Sequence, residues 1–255
     1  MRSFFKCVTA VLSVVLLLSL VASCYSGESF DDGLPDEAPV DQTPSVENVD
    51  FSNTTIAFLG DSITYGYVTK KGGQYENPYP ALVENLLGAK KVYNYGVGGS
   101  TLSRGNKYYQ PFIDRCLEME EDIDIIGVMG GTNDFYKGVP LGEPTDTVET
   151  TVYGALNILA ERLKERYPNA QIFFMSPLPT GDYATNALGY STRDIRNIVL
   201  DVANKNGFGF LDMYYVSGFE KEMKTDKTDG THPSQELLID TIAPKIAAFI
   251  KENYK

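Results

Sequence analysis

The chain has 255 residues, of which 43% are hydrophobic, and a formal net charge of −12. That is enough apolar side chain for one sizeable core. The acidic balance argues against nucleic acid and against anionic lipid headgroups as partners.

The first 23 residues read as an export signal. Arg2 and Lys6 form a basic start, and an apolar run from Val8 to Val21, interrupted by Thr9 and Ser13, follows. Such a run is short for a bilayer span and fits a cleaved leader better. Val21-Ala22-Ser23-Cys24 resembles a bacterial lipobox. The resemblance implies lipidation at Cys24 and a protein anchored outside the cytoplasm to a membrane of the cell envelope. An ordinary signal peptide, or an uncleaved membrane anchor, with a Cys there by chance is the alternative. With Cys7 leaving in the leader and Cys24 lipidated, Cys116 remains alone and cannot form an internal disulfide, so it is expected as buried filler.

Residues 24–52 carry no Lys or Arg. Glu28, Asp31, Asp32, Asp36, Glu37, Asp41, Glu47 and Asp50 alternate with Pro35, Pro39 and Pro44, without apolar periodicity. Such a segment buries too little surface to offset chain entropy. It is expected to be an extended tether reaching roughly 30 Å.

Residues 53–255 are expected to form a single domain. Short apolar runs at Thr55–Leu59, Lys91–Tyr95, Ile123–Met129, Gln171–Met175 and Gly209–Met213 read as strands. Helical spacing occupies Pro80–Leu87, Pro111–Glu121, Thr145–Tyr167 and Thr192–Asn206. A closing helix is expected over Gln235–Asn253, capped by Ser234 and kinked or divided at Pro244. Alternating strands and helices with apolar strands predict an α/β fold whose five-stranded, mostly parallel sheet is covered on both faces. In such sheets ligands bind beyond the C-terminal strand ends, near a topological switch point.

The segments at those ends are Gly-rich and polar. Gly60-Asp61-Ser62-Ile63-Thr64 follows the first strand, and Gly96-Val97-Gly98-Gly99-Ser100-Thr101 follows the second. Gly130-Gly131-Thr132-Asn133-Asp134 follows the third, and Asp229-Gly230-Thr231-His232-Pro233 precedes the last helix. Acyl transfer needs a nucleophile, a base, a group to orient the base and donors for the oxyanion. Ser62 sits in a tight strand-to-helix turn. His232 is the only histidine, so a neutral-pH imidazole base has to be this residue. Asp229 stands three residues before it. Gly99 allows close approach of a backbone N–H, Asn133 offers a side-chain amide, and Asp134 is read as bracing its turn. The glycines after the second strand lack the third Gly of a dinucleotide fingerprint. Asp229 and His232 have no further His with which to complete a zinc set.

These four segments resemble the blocks of the SGNH hydrolase superfamily, also called GDSL esterases/lipases. The family's Ser falls on Ser62, its Gly on Gly99 beside Gly98, its Asn on Asn133, and its Asp and His on Asp229 and His232. The resemblance covers Thr55 to the C-terminus. It implies a three-layer α/β/α sandwich of flavodoxin-like type and a serine hydrolase without metal or cofactor. It also implies a catalytic triad of Ser62, Asp229 and His232, and an oxyanion hole made by Ser62, Gly99 and Asn133.

Substrate class is less legible. The stretch from Tyr65 to Pro80 is rich in Tyr, Gly and Pro, and Tyr108, Tyr109, Tyr136, Tyr183 and Tyr190 fall at predicted loops or loop edges. Such tyrosines can stack on sugar rings, but they are expected mainly to pack loop bodies with wet hydroxyls. No long apolar loop predicts an acyl channel. A small acyl group such as acetyl, on a small-molecule or polysaccharide ester, is therefore preferred. A lysophospholipase or thioesterase with the same site, and a surface carbohydrate-binding protein doing no chemistry, stay open.

Overall fold

The computed structural model describes residues 49–68, 72–104, 110–181 and 185–254; Cys24, the leader and residues 24–48 of the expected tether lie outside them, as do Tyr108, Tyr109 and Tyr183. The end of the expected tether belongs to the domain instead, because Phe51 is buried in the core and its carbonyl accepts the Thr54 and Lys90 N–H groups. Five strands form one sheet: β1 (Thr55–Gly60), β2 (Lys91–Gly96), β3 (Ile125–Met129), β4 (Gln171–Met175) and β5 (Gly209–Leu211). Their order is β2-β1-β3-β4-β5 and every pairing is parallel.

Among the described residues, ten α-helical segments connect and cover the strands. They are α1 (Ser62–Tyr65), α2 (Tyr79–Leu87), α3 (Phe112–Arg115), α4 (Thr132–Lys137) and α5 (Val152–Arg166), then α6 (Thr192–Asn206), α7 (Met213–Val216), α8 (Phe219–Glu222), α9 (Gln235–Leu237) and α10 (Ala243–Asn253). The three central strands bury alternate residues on opposite faces, as the two-residue period of a pleated strand requires. Ala57, Leu59, Ile126, Val128, Ile172 and Phe174 pack under α3, α5 and α6. Ile56, Phe58, Ile125, Met129, Phe173 and Met175 pack under α2 and α10. The result is the expected three-layer α/β/α sandwich. The chain adds β2 on one side of β1 and then crosses to β3 on the other, so the switch point lies between β1 and β3.

Several elements are shorter than the sequence predicts. The helix expected over Pro111–Glu121 ends at Arg115. The Tyr167 hydroxyl reaches the Cys116 and Met119 carbonyls at 3.3 Å, and Arg166 donates to Met119 at 2.9 Å, so those acceptors are satisfied without further helix. The helix expected from Thr145 begins at Val152, because Thr151 caps it by accepting the Gly154 N–H and donates in turn to Asp146. The third strand begins at Ile125, because Ile123 turns back onto Glu121. The fifth ends at Leu211, and Met213 opens α7 instead. Ser234 caps the closing helix as expected, accepting the Leu237 N–H at 3.2 Å. The disturbance at Pro244 takes the form of a π-helical turn, Leu238–Ile242, just ahead of it, the kind of bulge that accompanies a missing backbone donor.

Candidate active site

At the switch point β1 runs into Gly60-Asp61-Ser62, where α1 begins directly. Two glycines allow this. A Cβ on Gly60 would come 1.8 Å from Thr64 Oγ1, and one on Gly96 would come 2.1 Å from the Tyr65 backbone nitrogen. Only bare backbone lets α1 sit this low on the strand ends. The Asp61 carboxylate caps α1, accepting the Ile63 N–H at 2.9 Å. Ser62 thus opens a helical turn, where a backbone N–H has no intrahelical acceptor, and its side chain is 9% exposed.

The loop before α9 brings in the other two members of the expected triad. His232 Nε2 lies 2.8 Å from Ser62 Oγ across 170 positions of sequence. His232 Nδ1 lies 2.9 Å from Asp229 Oδ2. Asp229 Oδ1 also accepts the backbone N–H groups of Thr231 and His232, at 2.9 and 2.8 Å. Burial alone raises the Asp229 carboxyl, but the bonds from the His232 ring, the His232 N–H and the Thr231 N–H outweigh it and hold the group below the usual carboxylate range. An ionised Asp229 fixes the hydrogen on Nδ1, which leaves Nε2 as the acceptor facing Ser62.

The loop is tied down at both ends. Thr228 Oγ1 donates to the His232 carbonyl at 2.6 Å. Beyond Pro233, Glu222 accepts the Ser234 N–H at 3.0 Å and the Ser234 hydroxyl as well.

The expected oxyanion donors converge on the same place. Gly99 has φ +77°, a left-handed conformation that favours glycine. Asn133 Nδ2 donates one hydrogen to the Ser100 carbonyl at 2.9 Å, which fixes the amide and leaves its second N–H for the site. Asp134, fully buried, accepts the Leu102 and Ser103 N–H groups at 2.8 and 3.1 Å and the Ser103 hydroxyl at 2.8 Å. It therefore braces the loop after β2 as well as its own turn. Ser62, Gly98, Gly99, Asn133 and His232 line one open cavity of about 460 Å³. Tyr67, Tyr136 and Thr231 complete its wall.

Sequence reasoning missed Arg115. The residue is 6% exposed, and its guanidinium donates to the Tyr95 carbonyl at 2.6 Å, the Gly60 carbonyl at 2.8 Å and Ser100 Oγ at 3.1 Å. It ties the ends of β1 and β2 to the glycine loop. Burial pulls it down to about 10 against the opposing pull of Asp61. Burial also pushes Asp61 up to about 6, against the Ile63 N–H and the charges of His232 and Arg115. The signal available in the sequence was one basic residue inside the apolar stretch Phe112-Ile113-Asp114-Arg115-Cys116.

Cys116 is buried, as expected for filler, and burial raises its thiol to about 11. The tyrosines divide. Tyr190 packs a loop body, its buried hydroxyl donating to Val139 at 2.6 Å and to Asp134 at 3.2 Å. Tyr136 and Tyr67, by contrast, face the cavity.

Residues 58–237 match the model of the GDSL-like Lipase/Acylhydrolase family, a span that holds Ser62, Gly99, Asn133, Asp229 and His232. No curated protein matches the chain by sequence. Among solved structures, a protein from Lactobacillus plantarum is 28% identical, with a TM-score of 0.70 over 81% of this chain and 100% of its own. The aryl esterase of M. smegmatis is 19% identical, with a TM-score of 0.60 over 79% and 100%. A carbohydrate acetylesterase family member from Sinorhizobium meliloti is 22% identical, with a TM-score of 0.57 over 77% and 99%. The last two are similar in fold alone. With the matched family model covering most of the chain, the protein belongs to the GDSL-like lipase/acylhydrolase family, within the SGNH hydrolase superfamily, and is an ester hydrolase.

Proposed function

We propose that Ser62 is the nucleophile, His232 the general base and Asp229 the residue that orients the base, and that the enzyme removes a small acyl group, acetyl above all, from a carbohydrate. The observation that carries the catalytic assignment is the unbroken chain of contacts from Ser62 Oγ through both ring nitrogens of His232 to Asp229, at 2.8 and 2.9 Å. Ser62 Oγ attacks the ester carbonyl while its proton passes to His232 Nε2. The tetrahedral oxyanion is held by the Ser62 and Gly99 N–H groups and the Asn133 amide. Nε2 returns the proton to the departing alcohol oxygen, leaving an acyl-serine. Water, deprotonated by the same nitrogen, then releases the acid and restores Ser62.

The cavity supports the short acyl group. Among the described residues lining it there is no Leu, Ile, Val, Met or Phe, so a long chain would gain little by entering. Reaction with a fluorophosphonate tests the nucleophile: Ser62 is expected to be labelled, and Ser62→Ala to escape labelling and to lose p-nitrophenyl acetate hydrolysis with its circular dichroism unchanged. Labelling that persists in Ser62→Ala removes the assignment. Comparing acetyl with octanoyl esters of one alcohol tests chain length, and release of acetate from acetylated polysaccharide tests the carbohydrate. We propose further that Cys24 is lipidated and holds the enzyme at an envelope membrane; unchanged membrane fractionation of Cys24→Ala would remove that anchor.

A further inference from the structure

The proton that completes acylation has to reach the leaving oxygen from His232 Nε2, so that oxygen has to come within about 3 Å of Nε2. The alcohol portion of the substrate therefore leaves Ser62 on the imidazole side, and the acyl-bearing oxyanion points toward Gly99 and Asn133. What surrounds the imidazole is aromatic. The Tyr67 ring packs on it, with centroids 4.8 Å apart and planes tilted by 45°. Tyr136 reaches across from α4 and meets the hydroxyl of Thr231, the residue before His232, at 2.7 Å. Both rings line the cavity that holds Ser62, and both stay open to solvent, Tyr67 at 36% and Tyr136 at 52%.

We infer that Tyr67, Tyr136 and Thr231 form the leaving-group subsite and that it is built for a sugar ring. A pyranose has apolar C–H faces and a hydroxylated edge, and each tyrosine presents an apolar body with a polar tip. The Tyr136–Thr231 pair adds a reason to prefer a hydroxylated ring to a plain aryl one. Each hydroxyl has one donor and two acceptor lone pairs, and their mutual bond uses one donor and one acceptor. One O–H and further lone pairs are left beside the place where the alcohol departs. This reading deepens the proposed esterase function and rests on Ser62 as nucleophile.

The test uses three acetyl esters with the same acyl group and different alcohols: a methyl O-acetyl-pyranoside, phenyl acetate and ethyl acetate. In Tyr67→Ala and in Tyr136→Ala, kcat/KM for the sugar ester is expected to fall about tenfold further than kcat/KM for ethyl acetate, the size of a lost ring contact. Tyr136→Phe keeps the ring and loses the hydroxyl, so it should lower the sugar ester and spare phenyl acetate. The deacylation rate, read from burst kinetics, should not change in any variant, because the alcohol has already left.

A parallel fall on all three esters would overturn the inference and make the rings mere supports for His232. A fall in deacylation would also overturn it, since the rings would then touch the acyl group. Wild-type hydrolysis that survives Ser62→Ala would instead reject the underlying esterase reading, so the two failures are distinguishable.

Discussion

Asp229 grips His232 twice: Oδ2 meets the ring at Nδ1, and Oδ1 accepts the backbone N–H of the same residue. The carboxylate therefore sets the position of the imidazole and also its tautomer. Asp229→Asn keeps the shape, and its carbonyl oxygen can hold the backbone donors. Its NH2 group then faces Nδ1 and turns that nitrogen into an acceptor, which places the hydrogen on Nε2, where Ser62 needs a lone pair. We expect kcat to fall on the order of 10⁴-fold at neutral pH with little change in melting temperature. A loss below tenfold, measured with p-nitrophenyl acetate, would mean that Asp229 only shapes the loop.

Asn133 has two hydrogens on Nδ2 and gives one to the Ser100 carbonyl. The other is available only if the amide stays fixed, which that bond ensures. In the proposed mechanism Asn133→Ala removes a donor to developing charge, so its effect is expected in kcat rather than KM. A loss of about 2.7–4 kcal/mol of transition-state stabilisation is expected, together with a small stability loss of about 1 kcal/mol for the missing Ser100 bond. A variant that raises KM with kcat unchanged would reassign Asn133 to ground-state binding.

The central strands were legible in the sequence because Ile56–Leu59, Ile125–Met129 and Ile172–Met175 are apolar on both faces, and only a parallel sheet covered twice buries both. Ser62, Gly99, Asn133, Asp229 and His232 were legible because each lies in a polar or glycine-rich segment where a parallel sheet collects ligands, and because those segments resembled a known set. Helix ends were legible where a local cap marks them, as for α6 over Thr192–Asn206 and at Ser234, but not at the end of α3. α3 stops because Tyr167 and Arg166, about fifty positions later, take its next carbonyls. Arg115 was hidden for the same reason: its acceptors on Gly60 and Tyr95 are 55 and 20 positions away. Local pattern reports periodicity and turn chemistry, whereas long-range side-chain partners are a property of the folded chain.

Gly96 controls where α1 rests. A Cβ there would meet backbone, the Tyr65 nitrogen at 2.1 Å and the Thr64 carbonyl carbon at 2.6 Å, and backbone cannot rotate away. Gly127 supplies the contrast, since its Cβ would meet the Phe173 and Phe58 rings at 2.7 and 2.8 Å, well inside the sheet. Both Gly96→Ala and Gly127→Ala should lose about 1–3 kcal/mol of stability by overpacking. Only Gly96→Ala should also lower kcat per folded molecule, by about tenfold or more, because moving α1 moves Ser62 away from Nε2. Equal kcat in the two folded variants would mean that the strand-end glycine does not set the serine.

Asp61 is the buried carboxylate beside Ser62, subject to the Ile63 N–H and the charges of His232, Arg115 and Asp134. Desolvation lifts it from 3.8 to about 6 despite its donors. The folded protein therefore takes up this proton at higher pH than the unfolded chain does. Its contribution to stability is full below pH 3.8 and is lost as the pH rises through about 6. The ionised group then costs on the order of 3 kcal/mol at pH 8. Asp61→Asn keeps an acceptor for Ile63 and never ionises, so its melting temperature should exceed that of the wild type at pH 8 and converge with it near pH 4. Thermal melts of the two proteins across pH 4 to 8 check the effect. A melting-temperature difference independent of pH would mean that Asp61 does not change charge in the folded enzyme over this range.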